Sequence, residues 1–319
     1  MAPPSRGASK PRWPRRRGWR IAAISAAAVV VLAGATVVAG LAVATNLAGH
    51  IQRIHVASLD AAQLPAGGPP NGGVNVLITG AGPTGSQPSP PQSSGLIDIL
   101  HINADQQGGG DLEFQPDAMV SVPGHGRMQL RDAMKIGGPS LLVRALEHLT
   151  HLRIRFYARI SFSQTADLVD DIGGVNVATP SGTVHLDGTQ AVAYAKDPSL
   201  SQSGRVLRQS SLVRAIGRKI VRGHLFTNPF TLFRLLRALT GTLTLSSNFS
   251  STELLTLARA LPGLSGHAAT FLTVPYRHAG GQILFISRHI HELREAAAQD
   301  ALAQWARQHP RWVVPEVVH

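Results

Sequence analysis

The stretch FYARISFSQTADLVDDIGGVNV, Phe156–Val177, decides the fold class of this 319-residue chain. Apolar and polar residues alternate over Arg153–Ile160, which predicts a β-strand. Ser163–Ile172 then predicts a helix that ends at two glycines, because glycine favours the left-handed conformation found after a helix C-terminus. A second strand is predicted directly afterwards, over Val175–Ala178. A strand, a helix and a strand in immediate succession indicate an α/β protein.

The same interleaving continues on both sides of this stretch. Further strands are predicted at Val74–Thr79, Gly95–Asn103, Leu112–Val122, Ala269–Val274 and Gln282–Ile286. Further helices are predicted at Pro139–Leu149, Thr189–Lys196, Gly204–Arg222, Pro229–Leu239 and Ser287–Arg307. No period of about 20–50 residues repeats. We therefore expect one α/β sandwich domain with a mixed central sheet.

The composition excludes several classes of protein. The chain has no cysteine, which excludes a disulfide scaffold, a cysteine-ligated zinc site, an iron–sulfur cluster and thiol catalysis. Apolar residues make up 44% of the chain and charged residues 15%, so the chain can bury a sizeable core. The formal net charge is +12, and the first twenty residues carry seven lysines and arginines and no acid. The excess positive charge is therefore concentrated in a short N-terminal tail.

The basic tail, residues 1–20, is followed by the uncharged run Ile21–Leu47. About twenty helical residues cross a bilayer, so this run predicts one transmembrane helix. A cleaved signal peptide is the alternative, because Ala42-Val43-Ala44 has the form of a cleavage site, but secretory apolar regions run only about 7–15 residues. The positive-inside rule then predicts a single-pass protein of the cell membrane with a cytoplasmic N-terminus and an extracytoplasmic main domain. The tail suits anionic lipid head groups, and nucleic acid is not an expected partner.

The remaining domain boundaries follow from changes in composition. Residues 48–72 lose periodicity and end in PAGGPPNGG, which predicts a stalk. The main domain is expected over residues 73–302, and a C-terminal tail over residues 303–319.

Three motifs in the main domain do not carry the chemistry that they superficially match. Gly80–Gly85 has the spacing G-x-G-x-x-G, but a proline-rich loop follows where a dinucleotide site needs a helix N-terminus. The Ser93-Ser94-Gly95 sequence lacks the spacing of a hydrolase nucleophile. The histidine pairs His148/His151 and His289/His291 lack an H-E-x-x-H context and an evident acidic partner set. We interpret these histidines as solvated or packed side chains.

Several segments, in consistent order, resemble the LytR-CpsA-Psr family of bacterial envelope proteins. These segments are GGPSLLVRALEHLT (Gly137–Thr150), Phe156–Val177 as quoted above, HLDGTQAVAYAK (His185–Lys196) and GRVLRQSSLVRAI (Gly204–Ile216). The resemblance covers about residues 73–302. It implies one N-terminal span and an external α/β domain.

The resemblance also implies a function. Members of the family move glycopolymers from a polyprenyl-pyrophosphate carrier onto peptidoglycan, with an apolar pocket for the lipid, arginines for the pyrophosphate and acids that position Mg²⁺. The chemistry is physically sound, since bidentate guanidinium groups fit phosphates and a divalent cation neutralises the charge of the transferring ester.

The departures from the family pattern fall on its charged motifs. The Gly-Ser-Asp-x-Arg motif is here Gly80-Ala81-Gly82-Pro83-Thr84, and the Arg-x-Asp-Thr motif falls on Ser93-Ser94-Gly95. The Pro-Arg-Asp motif after the third strand is predicted to fall on Pro123-Gly124-His125. After the Ala-Tyr pair, the basic residue is Lys196 and the next expected arginine is Pro198. At least two motif acids and two motif arginines are therefore missing.

The charged residues that survive are in GRVLRQ. Arg205 and Arg208 lie three residues apart on one helical face near a helix start, and with Gln209 the resemblance makes them the expected phosphate or pyrophosphate site. Asp98 and Lys196 are possible further contributors. Asp98 lies three positions past the motif acid, a slip that moves a strand residue about 10 Å and turns it to the other face, so direct substitution is not expected. The sequence assigns no catalytic residue and no metal ligand.

Two functions are compatible with this pattern. In the first, the chain is a degenerate family member that binds a polyprenyl-(pyro)phosphate-linked glycan, peptidoglycan or another cell-wall partner with little turnover. In the alternative, it is an active phosphotransferase that attaches glycopolymer to peptidoglycan through a rearranged Mg²⁺ site. Removing one preorganised charge-stabilising group typically costs about 10²–10³ in rate, which favours the first. No cofactor is expected except Mg²⁺ under the alternative.

Overall fold

A computed structural model describes residues 51–60, 73–81, 93–105, 108–161, 165–197, 199–200, 202–222, 242–250, 253 and 269–314. Its strands are β1 (Gln52–Ile54), β2 (Val74–Ala81), β3 (Ser93–Ile102), β4 (Gly109–Glu113), β5 (Met119–Val122), β6 (Gly126–Gln129), β7 (Phe156–Ser161), β8 (Val175–Thr179), β9 (Gly182–Leu186), β10 (Leu243–Ser246), β11 (Ala269–Thr273), β12 (Tyr276–Ala279) and β13 (Gln282–Phe285). Its helices are α1 (Leu130–Thr150), α2 (Thr165–Asp171), α3 (Gly188–Lys196), α4 (Gln202–Arg222), α5 (Ser287–Ala298) and α6 (Leu302–Gln308).

The central element is a seven-stranded sheet in the order β1-β10-β7-β2-β3-β4-β11. Strands β2, β3 and β4 are antiparallel neighbours, whereas β7 joins β2 in parallel and β11 joins β4 in parallel. The sheet is therefore mixed, as the sequence predicted.

The main core lies between one face of this sheet and helices α1, α5 and α6. Alternate side chains of strand β3 point into this core. Ile97 and Ile99 are 2% and 0% exposed there. Leu112 on β4 and Tyr157 on β7 join the same cluster. Burying an aliphatic side chain of this size contributes about 1.5–3 kcal/mol, so this face supplies the principal stabilisation of the domain.

The opposite face of the sheet has two parts. Near β7 and β10 it is apolar, and the rings of Phe156 and Phe249 stack there with centroids 4.4 Å apart. Towards β3 and β4 it is covered by α4, which also packs against α3 and β8 in a separate cluster that includes Leu212. Helix α4 thus lies between the sheet and a smaller layer, and this position decides which of its side chains are buried.

Helix α1 begins earlier than predicted. The sequence placed its start at Pro139, but the helical segment runs from Leu130 and is interrupted at Gly138, which has φ 60° and ψ −158°. Such a backbone is accessible to glycine and strained for other residues. Pro139 follows the break and has the position of a first helical residue. The pattern therefore marked an internal restart of the helix.

The predicted strand Leu112–Val122 is two strands, β4 and β5. Strand β4 ends at Glu113 in the central sheet, and β5 pairs with β6 in a separate hairpin. Strand β5 ends at Val122 and is followed directly by Pro123-Gly124-His125, so the placement of the Pro-Arg-Asp motif on these residues stays a prediction.

Residues 51–60 belong to the folded domain, whereas the sequence assigned them to a stalk. Strand β1 is the edge strand of the sheet, and Ile51, Val56 and Leu59 are 3%, 2% and 1% exposed. Residues 48–50 and 61–72 of the predicted stalk lie outside the described residues.

The C-terminal region also differs from the predicted tail. The helix predicted at Ser287–Arg307 is divided into α5 and α6 near Asp300, which has φ 54°. Trp305 on α6 is 5% exposed within the main core, and the Val314 N–H donates to the Phe271 carbonyl at 2.9 Å. Residues 303–314 are therefore part of the domain.

No helix among the described residues is both long and apolar enough to cross a membrane. The predicted span Ile21–Leu47, the basic tail and the predicted helix at Pro229–Leu239 all lie outside the described residues.

Candidate functional site

The predicted phosphate-binding residues lie where α3 meets the start of α4. Helix α3 begins at a capping box, because the Asp187 carboxylate accepts from the Gln190 N–H at 2.8 Å and the Gln190 side chain accepts from the Asp187 N–H at 3.1 Å. This cap stabilises the first turn of α3. Lys196, one of the predicted contributors, is the last residue of α3.

Arg208 on α4 is held by groups from the end of α3. Its Nη1 donates to the Asp197 carboxylate at 2.8 Å, and its guanidinium lies 4.8 Å from the centroid of the Tyr194 ring. Its Nε is buried and has no hydrogen-bond partner among the described residues. The arginine is therefore oriented on two sides and retains an unused donor.

Arg205 and Gln209 complete the surviving GRVLRQ motif. Arg205 Nη1 donates to the Leu200 carbonyl at 3.2 Å, and Gln209 Nε2 donates to the Ala195 carbonyl at 3.4 Å. The Gln209 Oε1 is buried without a partner within the described part of the chain. The structure thus brings Arg205, Arg208, Gln209 and Lys196 to one junction, which we call the α3–α4 junction.

Asp197 gives this junction a fixed negative charge. Hydrogen bonds from the Ser199 side chain at 2.6 Å and the Ser199 N–H at 3.0 Å lower the pKa of the Asp197 carboxyl, and Arg208 adds to the effect. Asp197 remains a carboxylate at neutral pH and already occupies one donor of Arg208. An anionic ligand at this junction must therefore use the remaining donors or displace Asp197.

Asp98 lies elsewhere, in a buried group of charged residues beneath α4. It pairs in register with Glu113 across β3 and β4, and Asp111 lies two residues before Glu113 on the same face. Arg214 from α4 lies over this face, with its guanidinium 5.2 Å from the centroid of the Phe271 ring. Asp98, Glu113 and Arg214 are 3%, 1% and 8% exposed. We call these three acids and Arg214 the buried charge cluster.

Burial dominates the electrostatics of this cluster. Desolvation raises the pKa of Asp98 well above its ordinary value, that of Asp111 to about 7 and that of Glu113, and Arg214 partly opposes each shift. Repulsion between the neighbouring carboxylates adds to the shift of Asp98 and of Asp111. Desolvation thus favours the neutral form of each of the three acids, and Arg214 favours the ionised form.

The cluster does not form an evident Mg²⁺ site. In the part of the chain that the structure describes, the three ligating side chains whose ligand atoms all lie within 4.8 Å of one another are His289, Glu292 and His309, not the buried acids. Asp98 lies beneath α4 in this cluster, and the expectation that it does not directly replace the motif acid stays a prediction.

Sequence reasoning missed most of the buried charge cluster. Asp111 and Glu113 have strand spacing, and Asp98 interrupts an otherwise apolar strand, but the meeting with Arg214 depends on long-range packing. The sequence also paired His289 with His291. In the structure His289 instead lies beside Glu292 and His309.

Comparisons with known proteins agree with this architecture. Probable cell wall biosynthesis protein LcpB of Corynebacterium glutamicum is 30% identical over 167 residues, which are 48% of this chain and 40% of that protein. Polyisoprenyl-teichoic acid–peptidoglycan teichoic acid transferase TagU of Bacillus mycoides is 25% identical over 161 residues, 46% of this chain and 52% of that protein. The chain thus matches only about half the length of these curated relatives.

The solved LytR-Csp2A-Psr enzyme from Actinomyces oris has the same fold, with a TM-score of 0.61 at 19% identity over 78% of this chain and 96% of that chain. The family model described as the LytR_cpsA_psr family matches residues 46–300. Because that match covers most of the sequence, this chain belongs to the LytR-CpsA-Psr family.

Proposed function

We propose that this chain is a cell-envelope protein that binds a polyprenyl-(pyro)phosphate-linked glycan and turns it over slowly or not at all. The names of its relatives connect the family with cell wall biosynthesis and with transfer of teichoic acid to peptidoglycan. A glycopolymer carrier or peptidoglycan is therefore the partner class that family membership favours.

The α3–α4 junction supports the binding half of this proposal. Arg208 is oriented by Asp197 and Tyr194 and keeps a buried unused Nε donor among the described residues. Arg205 lies one helical turn earlier, and Lys196 ends the adjoining helix. Guanidinium groups in such fixed positions suit the oxygens of a phosphate ester.

The residues at the motif positions support the absence of efficient turnover. The acids beneath α4 face Arg214, and desolvation raises their pKa values. The positions predicted for the motif acids hold Gly82, Gly95 and His125. Mg²⁺-assisted transfer needs hard oxygen ligands beside the substrate phosphates.

Binding of polyprenyl pyrophosphate to the purified full-length chain in detergent tests the proposal. We expect the Arg205→Ala/Arg208→Ala variant to bind the lipid at least about tenfold more weakly at matched salt, since each charge-assisted hydrogen bond contributes about 1.5–3 kcal/mol. Arg127→Ala is the matched control, because Arg127 is exposed on β6 and belongs to a different part of the domain. Equal affinity of the double variant and the wild type would remove the site.

The alternative is glycopolymer transfer, in which a peptidoglycan hydroxyl attacks the glycan-linked phosphorus and polyprenyl phosphate leaves. The retained GRVLRQ motif and the transferase name of the TagU relative favour it. It requires a metal site assembled from residues other than the missing motif acids.

We also propose that Ile21–Leu47 anchors the chain in the cell membrane with the basic tail in the cytoplasm. The support is the uncharged length of this run and the seven positive charges before it. Protease protection of Arg15–Arg17 in intact cells is expected. A mature N-terminus at Thr45 would contradict the anchor.

A further inference from the structure

The two C-terminal helices bring three potential metal ligands together, away from the α3–α4 junction. His289 and Glu292 are one turn apart on α5, and His309 directly follows α6. One ligand atom from each of these side chains lies within 4.8 Å of the other two. Two imidazoles and a carboxylate are ligands that zinc commonly takes in proteins.

The distances between these atoms bracket those of a tetrahedral site. His289 Nδ1 lies 2.8 Å from Glu292 Oε2, and His309 Nε2 lies 3.8 Å from the same oxygen. Zinc with bonds of about 2.0–2.1 Å sets its ligand atoms roughly 3.3 Å apart. The ligand atoms of His289 and His309 lie within 4.8 Å of each other, so side-chain adjustments would place all three ligands around one ion.

His309 is oriented by its surroundings. Its Nδ1 lies 3.0 Å from the Trp305 carbonyl, and its ring stacks on Trp305 with centroids 4.1 Å apart and planes 16° apart. Donation from Nδ1 to that carbonyl leaves Nε2 as the unprotonated nitrogen, and this is the atom that faces Glu292. A backbone carbonyl that fixes the tautomer of a histidine is a frequent feature around metal ligands.

The Glu292 carboxylate is also oriented by its neighbours. Arg288 Nε donates to Glu292 Oε1 at 2.9 Å, while Trp305 Nε1 lies 3.4 Å from Oε2. Oε1 is thus held by a neighbour on α5, and Oε2 is the oxygen directed to the histidines. Each of the three side chains retains about a quarter of its exposure, namely 22% for His289, 27% for Glu292 and 26% for His309, so an ion can enter from solvent.

Hydrogen bonding among these groups explains only part of the arrangement. The His289–Glu292 contact is a good hydrogen bond, but 3.8 Å between His309 Nε2 and Glu292 Oε2 is too long for one. We propose that His289, Glu292 and His309 bind one zinc ion, with solvent as the fourth ligand, and that the ion fastens the end of α6 to α5. This site does not depend on the glycan-binding proposal.

Titration of ZnCl2 into the untagged full-length chain in detergent tests the proposal. We expect one equivalent to bind, a higher midpoint of thermal unfolding, and binding weakened about tenfold or more by His289→Ala and by His309→Ala. His291→Ala is the matched control, because His291 lies on the same helix but pairs with Glu295, and it should bind zinc as the wild type does.

Visible absorption of the protein loaded with Co²⁺ gives a second measurement, because tetrahedral and octahedral cobalt absorb differently. If His309→Ala lowers stability without metal through loss of the Trp305 stack, His289→Ala and Glu292→Gln test the same site. Failure to bind one equivalent of zinc, equal affinity in the wild type and both histidine variants, or an equal loss in His291→Ala would each overturn the proposal.

Discussion

Replacing Asp111 with asparagine should make the domain more stable at neutral pH and reduce the dependence of its stability on pH. Burial raises the pKa of Asp111 from 3.8 in the unfolded chain to about 7 in the folded one. Between these values the folded state binds more protons than the unfolded state, so the free energy of unfolding falls as pH rises through this window and levels off above about 7.

The magnitude follows from the width of the window. One pKa unit corresponds to about 1.4 kcal/mol, so the rise from pH 5 to pH 7 should cost at most roughly 3 kcal/mol through Asp111 alone. Asparagine keeps the shape of the side chain and cannot ionise. It also removes the repulsion that Asp111 exerts on Asp98.

Urea denaturation at pH 5, 6, 7 and 8 measures the effect, with fluorescence of the buried Trp305 as a probe. The Asp111→Asn variant should show a smaller loss of stability from pH 5 to pH 7 than the wild type. Asp167→Asn is the matched control, because Asp167 is exposed on α2 and should leave the slope unchanged. Identical slopes for the wild type and Asp111→Asn would refute the buried charge cluster as described.

Other predictions concern the same helices and strands. Arg214→Met should lower the free energy of unfolding at pH 7 by about 3–5 kcal/mol, because it leaves the buried acids without their arginine; urea unfolding measures this, and exposed Arg144→Met should change little. Asp187→Ala should cost about 1 kcal/mol by removing the α3 capping box. It should also weaken polyprenyl pyrophosphate binding if α3 orients Arg208, and unchanged binding would show that α3 does not.

The parts of the fold that depend on local patterns were predictable from the sequence. Phe156–Val177 forms β7, α2 and the start of β8, because strand alternation and the glycine pair are short-range signals, and Gly173 and Gly174 have φ 76° and 74°. Strands β1 and β10 were missed because they are only three and four residues long, too short for a strand pattern to stand out. The division of Leu112–Val122 was missed, although Pro116-Asp117 between its two parts is a turn signal.

The candidate site was predictable only where it depends on spacing within one helix. Arg205 and Arg208 come together because helical spacing alone places them on one face. The contact of Arg208 with Asp197 and the meeting of Arg214 with Asp98, Asp111 and Glu113 depend on how α4 packs on α3 and on the sheet. No sequence pattern within one segment predicts that packing. The zinc-binding group was missed for the same reason, since His309 lies on a different helix terminus from His289.

The most direct test of the central claim is the release of polyprenyl phosphate from a pyrophosphate-linked glycan donor by the purified protein, with peptidoglycan present, with and without Mg²⁺. We expect the donor to bind through Arg205 and Arg208 and no Mg²⁺-stimulated release to be detected. The missing motif groups should slow the transfer by roughly 10⁴-fold or more. Release that requires Mg²⁺ and disappears in Asp98→Asn would contradict this account and show that a metal site has been rebuilt around Asp98.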